Sequence, residues 1–146
     1  MTQGLRQYAV VTGAYWSFTV TDGALRMLVL LHLHELGRSA LEIASLFLFY
    51  EVFGVVTNFL GGYIGSRFGL KSTLVGGLSL QIAALAMMVV DPSRLTIPWV
   101  MISQSLSGVA KDLTKMSSKS LVKLVLPEDD DHRLMKWVAV LTGSKN

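Results

Sequence analysis

The chain contains no cysteine, which removes disulfide staples, thiolate metal sites and thiol nucleophiles together. It is also short of charge: Asp, Glu, Lys and Arg make up 16% of the 146 residues, against 51% hydrophobic residues. With a mean hydropathy of +0.50, that balance places the chain among membrane proteins. The first seven residues carry one charge, Arg6, and lack the cationic leader, short apolar core and small-residue cleavage site of a signal peptide, so no cleaved signal is expected. A His-rich metal cluster, a nucleophile elbow and a paired-carboxylate motif in a polar context are missing too, and an enzyme is not expected. His32 and His34 stand two apart and diverge on a helix, so neither a metal nor another cofactor is expected. A net charge of +3 and a pI near 9.3 would point a soluble protein toward nucleic acid. In so apolar a chain the excess is assigned to membrane topology, and no nucleic-acid partner is expected.

What the sequence does have is long apolar runs. A bilayer core takes roughly 20 mostly apolar residues per helix, and four stretches reach that length, near 8–33, 43–64, 72–90 and 97–118. A fifth starts at Leu134 and has no terminator after Trp137 to Leu141, so it is expected to run on and the chain to be the first part of a longer bundle. The breaks carry turn chemistry: Glu35 to Ser39, Gly65 to Gly69, Asp91 to Arg94 with Pro98 beyond, and Pro127 with the acidic run Glu128 to Asp131. Cytoplasmic loops retain Lys and Arg. With the N-terminus inside, that side holds Arg6, Arg67, Lys71, Lys119, Lys123, Arg133 and Lys136, and the outer loops only Arg38 and Arg94. A cytoplasmic N-terminus in a plasma membrane is expected, with the lipid bilayer as partner.

Charges inside spans are costly unless they face a bundle interior or a wet cavity, so each is a functional candidate. Tyr8, Thr12, Tyr15, Thr19, Asp22 and Arg26 recur at spacings of four and three, which puts them on one helix face. The second span shows Tyr50, Glu51, Gly54, Thr57, Asn58 and Gly61, and the fourth shows Gln104, Ser107, Gly108, Lys111 and Lys115. Three polar stripes imply a shared hydrated interior. Asp22 and Arg26 are an i, i+4 pair that can close a structural bridge, and Glu51 is expected to pair with Arg26 across helices. Lys119 and Lys123 read as cytoplasmic anchors. Lys111 and Lys115 lie deeper, with Asp112 adjacent but about 100° round the helix. Gly54, Gly61, Gly65 and Gly69 read as sites of close helix approach.

The stretch Gly62-Tyr63-Ile64-Gly65-Ser66-Arg67-Phe68-Gly69-Leu70-Lys71 resembles the loop signature between the second and third helices of the major facilitator superfamily. Gly62, Arg67, Gly69 and Lys71 match it, and Ser66 stands where that family usually has Asp. Further segments, Thr21 to His32, Phe47 to Glu51, Ala110 to Leu113 and Leu141 to Asn146 among them, resemble the organoarsenical efflux permeases of the ArsJ type within that superfamily. The resemblance implies an all-α membrane protein, with residues 1–146 forming the first four transmembrane helices and the start of a fifth of a major-facilitator-type bundle of about twelve. It also implies a bacterial inner-membrane location, the remaining helices as partners, and export of 1-arseno-3-phosphoglycerate, conferring arsenate resistance. The residues alone imply a small organic anion as substrate. Arg26, Lys111, Lys115 and Tyr15 are the expected substrate-binding set, and Asp22, Glu51 and Asp112 the expected charge-pairing or proton-coupling set. Another organic phosphate or a drug-like substrate, or a non-transporting membrane module, are the alternatives.

Overall fold

A computed structural model describes residues 3–125 and 131–143, and these form five α-helices, the first four joined by short connections. They are α1 (Gln3–Glu35), α2 (Ala40–Phe68), α3 (Leu70–Met88), α4 (Ile97–Val125) and α5 (Asp131–Leu141), with a single 3-10 turn at Pro92–Arg94 before α4. No strand occurs among the described residues. The helices overrun most of the apolar runs that mark them, because hydrogen-bonded turns continue through the polar residues at either end. α3 has the length of the expected third span but sits two residues earlier: it stops at Met88, where Val89 at φ −90° donates its N–H to Ala86 O in a tightened last turn.

Two junctions show how local sequence sets the ends. Ser39 caps α2 in a reciprocal capping box, accepting from the Glu42 N–H while its own N–H donates to Glu42 Oε2; this satisfies donors that a helix start otherwise leaves orphaned. The expected break over Gly65 to Gly69 contracts to one residue. α2 runs to Phe68, and Gly69 alone turns the chain, at φ 80°, a conformation that side chains with a Cβ rarely adopt. The acidic run falls mainly outside the described residues. Among the described residues α5 ends at Leu141, followed by Gly143 at φ 62°; the expected continuation of the fifth span lies outside them.

The layout is inside-out relative to a soluble bundle. Phe59, Val20 and Ile82 are 85%, 71% and 68% exposed, whereas Gln81, Ser103, Gln104, Ser107, Thr114 and Ser117 are buried. Outward apolar side chains suit a lipid solvent, and small or polar residues between helices suit close packing within it. Two helices, α2 and α3, combine enough length with enough apolarity to cross a membrane, with mean hydropathies of 1.7 and 1.4 over their best windows. α1 and α4 have the length, at 33 and 29 residues, but carry the polar stripes inward.

α4 is the central helix and packs against α1, α2 and α3. Its small residues permit the approach: a Cβ at Gly108 would strike the Tyr50 backbone, and one at Gly77 of α3 would lie 2.6 Å from Thr114 Oγ1. Ser103 Oγ donates to Ala84 O at 2.9 Å, and Trp99 Nε1 donates to Met87 O at 2.6 Å, locking the α3–α4 hairpin. α5 docks on α1 through Tyr8 Oη to Trp137 O, 3.0 Å, and Trp16 Nε1 to Leu141 O, 2.9 Å. One apolar cluster, with Leu25, Val29, Leu33, Leu46 and Val100, closes one end of the bundle. Another, with Tyr8, Val11, Leu74, Val122 and Leu141, closes the other. Between them along α1 lies Asp22.

Candidate functional site

Asp22 is 4% exposed, and each of its neighbours comes from a different helix. Tyr50 of α2 donates its hydroxyl to the carboxylate, 3.0 Å from Oδ1 and 2.9 Å from Oδ2. Ser107 Oγ of α4 stands 3.1 Å from Oδ1 and 2.8 Å from Gln81 Oε1 of α3. A hydroxyl has one proton, so Ser107 serves either the carboxylate or the amide at any moment. Arg26, one turn along α1, places Nη2 3.1 Å from Oδ2. A buried carboxylate is tolerable only when so surrounded by donors, and the four described long helices all contribute to that shell or lean on it.

The network has an exposed edge. The Asp22 side chain is 5% exposed but its partner Arg26 is 42% exposed, and the second ion pair, Lys111 Nζ to Glu51 Oε1 at 3.2 Å, joins side chains 23% and 60% exposed. Tyr50 connects the two pairs. Its ring, in a residue with no solvent exposure, carries the Arg26 guanidinium at 5.0 Å and the Lys111 ammonium at 4.3 Å from its centroid, both within cation–π range.

Not every expected contact forms. Glu51 pairs with Lys111 rather than with Arg26, because Arg26 follows its i, i+4 register back to Asp22 while Glu51 faces α4. Asp112 is buried against α2, abutting Gly54 and accepting from Asn58 Nδ2 at 3.1 Å. Lys115 is exposed. Tyr15 packs against the cluster containing Tyr8, Val11 and Leu141, well short of Arg26 along α1. At the centre of the expected shared interior Gln104 and Ser107 are fully buried. The exposed side of the network is where Arg26, Glu51 and Lys111 lie.

Sequence reasoning placed Tyr50 on a polar stripe but did not give it a role, and it missed Gln81 altogether. Gln81 carries no charge and is the one polar residue of the stretch from Leu80 to Met88, the only signal that marked it. In the loop signature, Gly62 is exposed and Arg67 donates to the Tyr63 hydroxyl at 2.6 Å. Ser66 donates back to Tyr63 O, and Lys71 shares a cavity lining with Arg6. Those last two line a separate cavity of about 520 Å³ with Val10, Leu74 and Leu78. The α1 lining residue nearest Asp22 in sequence, Ala14, is eight positions before it, about 12 Å along a helix. Among the described residues no group of three or more His, Cys, Asp or Glu gathers where a metal could be held.

An all-α bundle with lipid-compatible outer faces and a charged, partly exposed cluster at mid-helix is the architecture of a membrane transporter. The sequence profile of the Major Facilitator Superfamily matches residues 11–143, and the chain belongs to that superfamily, whose members are transporters rather than enzymes. No curated protein and no solved structure matches the chain.

Proposed function

We propose that the chain belongs to the transporting core of a secondary transporter that exports an organic anion from the bacterial cytoplasm, and that Arg26 and Lys111 bind it. The observation that carries this reading is the pair of cations on the exposed edge of an otherwise buried network, each within reach of the same tyrosine ring. A planar guanidinium suits oxyanions, and an ammonium adds a point charge. Asp22 and Glu51 hold the two cations in place until substrate displaces them. Lys115 and Tyr15 take lesser parts, at longer range. In a superfamily bundle such a site works by rocking one half against the other around the midplane, so transport requires further helices beyond these, and the N-terminus lies in the cytoplasm of an inner-membrane protein.

The substrate we favour is 1-arseno-3-phosphoglycerate, on the strength of the residues from Thr21 to His32, Phe47 to Glu51 and Ala110 to Leu113 that resemble organoarsenical permeases. Export of arsenic from cells expressing the full-length gene should depend on a glyceraldehyde-phosphate dehydrogenase able to use arsenate. Equal arsenic retention with and without the gene, at verified membrane expression, refutes that substrate. Efflux of another phosphate ester under the same conditions would keep the anion reading and replace the substrate.

A further inference from the structure

We infer that Tyr50 is the positioning residue that spaces Arg26 and Lys111 so that both close on one tetrahedral dianion, a phosphate- or arsenate-type monoester. This rests on the reading of the site as anion-binding. Both cationic groups lie within 5.0 Å of the same ring centre, so they are less than two such radii apart. Two like charges brought this close repel unless something negative lies between or beside them. In the structure each is held off by its own carboxylate, Asp22 for Arg26 and Glu51 for Lys111. A dianion replaces both: the guanidinium fork spans one edge of the tetrahedron and the ammonium meets a third oxygen. A monoanion satisfies only one prong.

The ring itself cannot wander. Its hydroxyl is spent on Asp22, and its backbone is wedged against Gly108, where a Cβ would collide with the Tyr50 carbonyl. Asp22 in turn is fixed by Ser107 from α4. The positions of two cations from two helices therefore trace to one aromatic side chain on a third, which makes no use of its hydroxyl toward substrate.

The test uses the full-length transporter purified in detergent, with glycerol 3-phosphate at pH 8 as the dianion and its methyl phosphodiester as the tetrahedral monoanion, read by titration calorimetry. The wild type should prefer the monoester by about tenfold or more, the worth of one charge-assisted prong. Tyr50→Phe keeps the ring and should keep the preference. Tyr50→Leu should bring the two affinities together, and so should Lys111→Gln, which removes a prong without touching the ring and stands in if the leucine variant does not fold. Retention of the preference in Tyr50→Leu or in Lys111→Gln overturns the inference, as does equal wild-type affinity for both probes. Absence of binding to either probe in the wild type instead overturns the anion site on which the inference stands.

Discussion

Arg26→Gln separates a binding residue from a structural one. In the structure its guanidinium is 3.1 Å from Asp22, on a side chain 42% exposed, while the Asp22 side chain is 5% exposed. Orphaning a fully buried charge costs about 3–5 kcal/mol. Here solvent reaches the guanidinium and screens the pair, and Asp22 keeps the Tyr50 and Ser107 hydroxyls. The structural loss should therefore be about 1–2 kcal/mol, seen as a lower unfolding temperature in detergent. Adding Asp22→Asn removes the orphaned charge and should return most of that stability. Binding obeys a different rule, because no neutral group at position 22 replaces a cation at position 26. Loss of a guanidinium fork from an oxyanion weakens binding by about 2–3 kcal/mol, or roughly 30- to 150-fold. Export by the full-length transporter, measured at matched membrane abundance, should fall in Arg26→Gln and stay low in the double variant. Arg26→Lys should also be poor, since it keeps charge but not the fork. Wild-type export in the double variant refutes the binding role.

Lys111→Gln should weaken export more than Lys115→Gln, since Lys111 reaches the Tyr50 ring and Lys115 is exposed; equal effects in the same assay would place the anion further toward the cytoplasm. Gly108→Ala forces the Tyr50 backbone away from α4 and should destabilise by about 1–3 kcal/mol, with a matching loss of anion affinity, both read on purified protein. Tags after Ser66 and His132 should be cytoplasmic and one after Ser93 external, because Lys and Arg concentrate on one side; cleavage of the Ser66 tag by protease added to intact spheroplasts, with the Ser93 tag protected, would invert the topology. Ser66→Asp should be tolerated in export assays, as Arg67 bonds to the Tyr63 hydroxyl and gains a neighbouring carboxylate.

The sequence by itself determined that the described chain is helical and apolar outside, since runs of apolar residues near bilayer length have few other solutions. It also determined which helices carry charge inward and that Asp22 and Arg26 meet, because an i, i+4 spacing needs no tertiary information. It did not determine partners across helices. From sequence Glu51 is expected to pair with Arg26, and only the α2–α4 crossing at Gly54 and Gly108 aims it at Lys111. The same crossing buries Asp112 against Asn58 and brings Lys111 to the Tyr50 ring that Arg26 also reaches. Gln81 joins Asp22 through Ser107 only because α3 packs on α4. Helix ends, too, were settled locally: Gly69 stops α2 by its left-handed turn, where the sequence offered five residues as a break. Periodicity fixes the face on which a side chain stands, but the depth and rotation at which helices cross depend on which small residues let their backbones touch.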